Sequence, residues 1–518
     1  MLTKIRLSVR CSSKQVRDSL DDVLAPDNLG GPKGMRFSVV RKERSLNFQI
    51  SSATAATSLS TAISLLNDVS LFQEVWLLSR QLDASEHGAA LSLMDVKLIR
   101  ESPESVVRSL RRRGTPQKAA LVEEAAQADA DWRKLKTEAD RLRHRQNELT
   151  GEVAAVKKKG ESIDAKLAEI KDIPREIKDL DARADERYAR LSKILLSLPN
   201  ILHDSVPEGK DESQNVTVRS WGKQPKFDFK PKDHIDVLSA LGMVDMERAA
   251  KVAGARFSFL MGDAVKLEHA IMQYALDFLM ARGFTAVEPP FMLNRSSYEG
   301  VVNLDDFGPV IYKLEGEDLH LIATSEHPLV SMHRDEILEA SDLPIKYCGF
   351  SPCFRVEAGA HGRDTKGIFR VHQFYKVEQV VFSKPEESWK LHEELVSNAE
   401  QIYQALGIPY RVIALCSGDT GFMSAKTYDL EAWLPSQGNY REMASASNVT
   451  DFQARRLLIR YREKQNVPTT LVHTLNSSAV VTRTLVALVE NFQQKDGSVK
   501  IPKVLGPYMG GVESLQRQ

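Results

Sequence analysis

Two runs of apolar residues at alternating steps of three and four constrain this chain more than any other feature. The first passes through Ala128, Trp132, Leu135, Ala139, Leu142, Gln146, Leu149, Val153 and Val156, with Gln146 as its polar exception. The second passes through Ile163, Leu167, Ile170, Ile177, Leu180, Ala184, Leu191 and Leu198. Such spacing puts one narrow apolar seam on an α-helix, and a seam of that shape is buried against another helix. Lys157-Lys158-Lys159-Gly160 separates the runs and Pro199 ends the second. The pattern therefore predicts an antiparallel hairpin of two long helices, each spanning roughly 45 to 50 Å at 1.5 Å per residue. A dimerisation coiled coil with solvated charged faces is one use for such an arm. The other follows from Arg141, Arg143 and Arg145, which with the lysine tip form a basic stripe able to track a phosphate backbone. Folded RNA calls for long, shape-reading reach, because the A-form major groove is closed to side chains.

At 518 residues the whole chain implies two to four domains. Lys plus Arg and Asp plus Glu are equal at 70 each, so a nucleic-acid partner is held by local basic clusters and not by a whole-protein field. Cys11, Cys348, Cys353 and Cys416 show no C-x-x-C pair and fit neither a zinc site nor a disulfide framework, which points to a reducing, cytoplasmic setting. No apolar run approaches 18 residues, and the N-terminus soon turns acidic at Asp18, Asp21 and Asp22, so neither a membrane span nor a signal peptide is expected. Residues 1–82 read as a small α/β unit in the order β-α-β-β-α, with strands at Ile5, Leu7 and Val9, at Arg36 to Val40 and at Leu46 to Ile50. Its helices carry Val16, Leu20 and Leu24, then Leu59, Ile63 and Leu66; residues 83–93 form a linker. By element order and the segment SSKQVRDSLDDVLAPDN, this unit resembles the small dimerising subunit of the KEOPS tRNA-modification complex. An appended domain of no transferable function is the other reading.

Residues 354–378, FRVEAGAHGRDTKGIFRVHQFYKVE, read as two strands joined by a glycine-rich loop from Gly359 to Gly367. Arg355 and Glu357, two apart, should share one strand face, and Phe374 and Glu378 share a face of the returning strand. A guanidinium, two carboxylates and an aromatic plane together suit a charged, aromatic ligand. Upstream, Leu267, Ala270, Ile271, Tyr274, Ala275, Phe278 and Leu279 predict an amphipathic helix ended by Gly283 and followed by a strand reaching Glu288-Pro289-Pro290.

Several ordered signatures now combine: the helical arm, the proline-ended strand, LIATSEHP at 321–328, the 354–378 hairpin, REMASASNVTDFQARR at 441–456 and LVHTLNSSAVVTRTLVALVEN at 471–491. From residue 94 onward, over more than four-fifths of its length, the chain resembles seryl-tRNA synthetase, a class II aminoacyl-tRNA synthetase. The resemblance implies an α+β fold: an antiparallel-sheet catalytic domain at 215–518, preceded by a tRNA-binding coiled-coil arm at 94–214 and by the small N-terminal α/β domain. It further implies a homodimer, with the helix and proline-ended strand at its interface, and formation of seryl-adenylate from L-serine and ATP followed by transfer of serine to tRNA(Ser), with tRNA(Sec) a second acceptor to consider.

Carried over motif by motif, the resemblance makes Arg355 and Arg483 catalytic. It assigns ATP binding to Arg355, Val356, Glu357, Val371, His372, Gln373, Phe374, Glu442, Met443, Ala444, Ser445 and Arg483. Phe374 would stack on adenine with Arg483 on the other side. Thr324, Ser325 and Glu326 would surround the serine amino group, and Glu378, Asn476 and Ser478 its hydroxyl, with Arg355 on the carboxylate. Glu442 and Ser445 would ligate the magnesium ion that accompanies ATP; no zinc is expected, since no cysteine joins a plausible His and Glu set. His372 is given no catalytic role. Asn476-Ser477-Ser478-Ala479 departs from the small-Gly pattern common after that asparagine, which loosens the placement of Ser478. Arg363, in the loop, would meet the tRNA acceptor end. The alternative reading is a non-catalytic tRNA-binding or regulatory paralogue on the same scaffold.

Overall fold

The computed structural model describes residues 3–10, 36–42, 45–52, 95–159, 162, 164–302, 304–357 and 367–517. Several expectations fall outside these residues: the two helices of the first domain, the linker, the lysine-tip side chains and the loop with Arg363. The chain divides into two compact units, Met1–Ala90 and Leu91–Gln518. In the first, the strand Ser45–Ser52 lies between Thr3–Arg10 and Arg36–Lys42 in an antiparallel sheet, with Ile5 opposite Ile50, Leu7 opposite Phe48 and Val9 opposite Leu46. All three strand expectations for this unit are met.

In the second unit, short helices Val96–Glu101 and Pro103–Arg112 lead into the arm. Its two helices are α1 (Ala119–Lys159, 41 residues) and α2 (Asp164–Ser197, 34 residues). They run antiparallel, as the cross-helix partners show: Glu124 with Arg190, Trp132 against Tyr188, Arg143 with Asp181 and Arg145 with Glu169. Ala128, Ala139, Leu149, Ala184, Leu191 and Leu198 of the predicted seam are buried. The helix α1 starts earlier than the seam suggested, because Val122 and Ala125 extend its apolar stripe into a small core with Ile99, Val106, Leu110, Ile194 and Leu195 at the arm's base. The arm is therefore longer than expected, about 60 Å along α1. Where the second seam skips a step, buried Ile173 fills it and the neighbouring Pro174 stays exposed inside α2.

The main body of the second unit is built on an eight-stranded sheet. Its strands are β1 (Val216–Trp221), β2 (Thr285–Val287), β3 (Ile345–Phe354), β4 (Gln373–Ser383), β5 (Tyr410–Ala414), β6 (Lys426–Leu434), β7 (Asn439–Thr450) and β8 (His473–Val481). The order across the sheet is β1-β5-β6-β7-β8-β4-β3-β2, antiparallel except where β2 meets β3. Helices α3 (Asp263–Met280), α4 (Ser388–Leu406) and α5 (Thr482–Phe492) cover it, with Leu267, Ile271, Leu395, Ile402, Leu485 and Val489 in one hydrophobic core with Val377, Val381 and Val480 of the sheet. α4 stops at Gly407, whose backbone adopts the left-handed conformation (φ +72) that a Cβ would disfavour. These layers leave β3, β4, β6, β7 and β8 and the start of α5 around two adjoining hollows.

Candidate active site

The strands β3 and β4 form the expected hairpin, with Cys353 opposite Phe374, Phe354 opposite Gln373 and Gly349 opposite Glu378. Regular pairing ends at Phe354, so the shared strand face expected for Arg355 and Glu357 does not form. Glu357 instead takes a left-handed backbone (φ +49), and its carboxylate accepts from Arg370 Nε at 2.5 Å, while its carbonyl accepts from Arg256 at 3.0 Å. The guanidinium of Arg355 lies 5.3 Å from the Phe374 ring centroid and reaches towards the Ala323 carbonyl at 3.4 Å. The guanidinium of Arg483 is 4.9 Å from the Phe369 centroid, and its Nε donates to the Phe369 carbonyl at 2.9 Å. Arg441 approaches the same ring at 4.4 Å. Burial lowers the proton affinity of Arg483, which still keeps its charge at any working pH and stands 3.6 Å from Glu442.

Deeper in the hollow, Glu378 is 2% exposed and is met by Ser478, whose hydroxyl donates to it at 3.2 Å. A β-bulge between β4 and β8 makes this meeting possible: Val377 faces Val480 but Glu378 faces Ser478, so Ala479 is the extra residue. Backbone register thus brings Ser478 against Glu378 whatever follows Asn476 in the sequence. Asn476 shares the face of Ser478 by strand parity. Lys376, also buried, forms an ion pair with Glu378. Glu326 begins the short helix Glu326–Ser331 and is buried; Gln453 donates to it at 2.8 Å, and Thr474 donates to Gln453 at 2.8 Å. Burial, then the charge of Glu378, push the Glu326 carboxyl up to about 7. Burial likewise holds the neighbouring His327 neutral, its affinity for a proton lowered to about 3. Thr324 caps this turn by accepting from the Glu326 amide at 3.2 Å, whereas the Ser325 hydroxyl donates to the Gly349 carbonyl at 3.3 Å and fixes the turn to β3.

Glu442 and Ser445 lie on β7, three residues apart, a spacing that would put them on opposite faces of a regular strand. A second bulge corrects this: Leu430 of β6 faces Ala444 but Glu431 faces Glu442, leaving Met443 over. Asp429 of β6 faces Ser445 and bonds to it; burial, then the charge of Glu442, raise the Asp429 carboxyl well above its ordinary value. Its Oδ1 is buried without a hydrogen-bond partner. A carboxylate short of donors beside a second carboxylate and a hydroxyl is a donor set suited to a hard divalent cation. Among the described residues no three His, Cys, Asp or Glu side chains gather closely enough to hold a metal by themselves. The remaining ligands would have to come from a bound phosphate and water.

These groups line two adjoining hollows. A cavity of about 40 Å³ is bounded by Arg355, Glu357, Val371, Phe374, Glu442, Met443, Ser478 and Arg483, all expected, together with Ile368, Phe369, Lys376, Val481 and Thr482, which were not. It shares Phe369, Glu442 and Arg483 with a cleft of about 1490 Å³ that also takes in Asp429, Glu431 and Arg441. Other expected residues stand back from these walls. The His372 ring bonds to Tyr312 at 2.8 Å and to the Arg355 carbonyl at 2.9 Å and stacks on Phe257, a structural placement. Ala444 is core, Gln373 is exposed, and the Val356 amide donates to the Val310 carbonyl at 2.9 Å.

Comparison with known proteins decides the family. Residues 93–202 match the seryl-tRNA synthetase N-terminal domain, and residues 311–492 match the tRNA synthetase class II core domain (G, H, P, S and T). A serine–tRNA ligase of Methanocella arvoryzae is 50% identical over 82% of this chain and 100% of its own length. The chain belongs to the seryl-tRNA synthetase family. A serine–tRNA ligase of Nitrosopumilus maritimus is 49% identical over the same shares. Among solved structures, seryl-tRNA synthetase from Pyrococcus horikoshii complexed with ATP superposes with a TM-score of 0.79 at 48% identity, over 82% of this chain and 100% of that one. The cytoplasmic serine–tRNA ligase of Naegleria fowleri in complex with AMP gives 0.75 at 36%, over 82% and 99%. The catalytic, class II reading therefore stands, and the alternative of a non-catalytic paralogue is not supported. The resemblance of residues 1–80 to the KEOPS subunit is not borne out; the family matches begin at residue 93.

Within a seryl-tRNA synthetase, the groups that sequence reasoning passed over are instructive. Lys376 sits between Phe374 and Glu378 at the parity already used for both, so the strand pattern was enough to find it. Thr482, which accepts from the Tyr375 amide at 2.9 Å and donates to buried Glu268 at 2.5 Å, precedes Arg483 and ties α5 to β4 and α3. Phe369 and Asp429 gain their roles only from tertiary neighbours.

Proposed function

We propose that the chain joins L-serine to tRNA(Ser) in two steps at the hollow around Arg355, Glu378 and Arg483. A serine carboxylate oxygen attacks the α-phosphorus of ATP; the new O–P bond forms as the bond to pyrophosphate breaks and the electron pair leaves with it. The chain supplies no nucleophile; it aligns two anions and takes up the charge that grows on phosphate. Arg355 suits that task because its planar fork can grip carboxylate and α-phosphate oxygens together, and Arg483 adds a second cation beside it. In the second step a terminal ribose hydroxyl of tRNA attacks the adenylate carbonyl and AMP leaves. Magnesium bound with ATP would neutralise and order the leaving phosphates; Glu442, Ser445 and Asp429 are the residues that would hold it.

The observation that carries this reading is the buried Glu378–Ser478 pair beneath the two arginines. A carboxylate and a hydroxyl aimed at a substrate hydroxyl would be left unpaired by alanine, a mismatch that buried polar sites reject by about 10⁴ to 10⁵. Glu326 and Thr324 receive the serine amino group, Glu357 the adenine amino group and Phe374 the adenine face. Residues 94–214 form the tRNA arm and 215–518 the catalytic domain; the protein acts as a cytoplasmic homodimer in which the arm of one subunit serves the site of the other. Serine-dependent exchange of pyrophosphate into ATP, followed by charging of tRNA(Ser), tests the reading. Absence of serine-dependent exchange in the full chain would overturn it.

A further inference from the structure

Where the arm meets the catalytic body, one residue acts as a fastener. Arg113, which ends the helix Pro103–Arg112, is 8% exposed and directs its guanidinium at four backbone carbonyls. Its Nε donates to Asn200 at 3.0 Å, one Nη to Thr420 at 2.9 Å and Gly421 at 3.1 Å, and the other Nη to Ser424 at 2.6 Å. Asn200, just past the end of α2, binds the same stretch: its amide donates to the Phe422 carbonyl at 3.0 Å and its Nδ2 to the Met423 carbonyl at 2.8 Å. The His203 amide donates to the Ala425 carbonyl at 2.9 Å. Six consecutive carbonyls, 420 through 425, are thus taken by three residues drawn from the two ends of the arm. That stretch runs straight into β6 with Asp429 and Glu431. Asn200 Nδ2 also donates at 2.7 Å to Val449, near the end of β7, the strand that carries Glu442 and Ser445.

From this arrangement we infer that Arg113, with Asn200, is a positioning residue for the transfer step: it fixes the angle at which the arm leaves the catalytic body. The inference rests on the reading of the arm as the tRNA-binding element. A guanidinium offers five donors in a rigid plane, whereas an ammonium offers three from one point, so Arg113 holds several carbonyls in fixed directions as lysine cannot. Its acceptors belong to the main chain and cannot swing away as side chains do. If angular play were only the aim of filling space, an apolar side chain would serve at lower desolvation cost. Over an arm of about 60 Å, a tilt of roughly 5° at the root moves the tip by about 5 Å. Misplacement of reacting groups by about 1 Å can already cost on the order of 100-fold in rate.

The test uses the full chain with Arg113→Met and Arg113→Lys, each assayed for serine-dependent pyrophosphate exchange and for tRNA(Ser) charging. The clamp predicts that kcat/KM for tRNA falls about tenfold or more in Arg113→Met and less in Arg113→Lys, with exchange within about twofold of the parent in both. Equal loss of exchange and charging in both variants, or unchanged charging in Arg113→Met, overturns it. Should circular dichroism show Arg113→Met unfolded, Arg113→Lys alone decides: reduced charging with exchange kept supports the clamp, and any other pattern overturns it. Protection of residues 119–153 from hydrogen exchange by tRNA(Ser), measured on the unmodified chain, separates the two readings. No protection removes the arm as tRNA binder, and the clamp with it; protection with normal charging by Arg113→Met removes the clamp alone.

Discussion

Glu326 shows how one buried carboxyl ties stability to pH. Its folded proton affinity, raised to about 7 by burial and by Glu378, exceeds the ordinary value of 4.5. The native state therefore holds the proton more tightly than the unfolded chain. The stabilisation is complete below about pH 4.5 and is lost as pH rises through about 7. Between pH 5 and pH 8, Glu326→Gln should lose less unfolding free energy, read from denaturant titrations, than the parent does, by an amount on the order of a few kcal/mol. A serine ammonium docking on Glu326 would favour the ionised carboxylate, so KM for serine should fall as pH rises through about 7, a trend that Glu326→Gln should not show. At Glu378 the expectation differs: Glu378→Ala should collapse serine-dependent exchange while leaving ATP affinity within a few-fold, since the Phe374 and Arg483 surfaces are intact. Survival of exchange would remove Glu378 from serine recognition. Both carboxylates were legible because each sits inside a recognisable segment. Lys376 was legible too, by strand parity alone, whereas Asp429 was not: its burial depends on β7, a neighbour that its own surrounding sequence does not announce.

At the scale of elements, repeats were readable and single insertions were not. The heptad steps of α1 and α2 recur often enough to fix helix, face and pairing from sequence. The bulges at Met443 and Ala479 consist of one residue each, so nothing periodic marks them, yet they decide which side chains share a face. Reading Glu442 and Ser445 from strand parity would have separated them. The basic stripe on α1 is also less free than its composition suggested. Arg141 pairs with Glu138 at 2.6 Å, Arg143 with Asp140 at 2.7 Å and Asp181 at 2.6 Å, and Arg145 with Glu169 at 2.6 Å. Exposed pairs of this kind contribute little to stability, and they also dilute the field offered to a phosphate. Affinity for tRNA should fall with added salt, but Arg143→Ala should change the log–log slope by less than about one charge, as filter-binding across a salt series would report. A change of a full charge or more would return Arg143 to direct phosphate contact.

For the whole molecule, the part shared with relatives covers 100% of the Methanocella arvoryzae ligase, and the family match starts at residue 93. A chain beginning at Met94 should accordingly keep serine-dependent exchange and tRNA charging within a few-fold, measured side by side with the full chain; loss of charging alone would give residues 1–82 a part in tRNA handling. The order of domains was legible because each carries its own periodicity or signature, while the joint between arm and body was not, since carbonyls are the same in every residue. That joint has a consequence for divergence and for grafting. The body receives the arm on the path of residues 420–425 and not on their side chains. Drift in those six letters should be tolerated wherever the backbone course survives, while a single inserted residue should unseat the arm. A search for matching residues between distant relatives would overlook the socket; a superposition of main chains would find it.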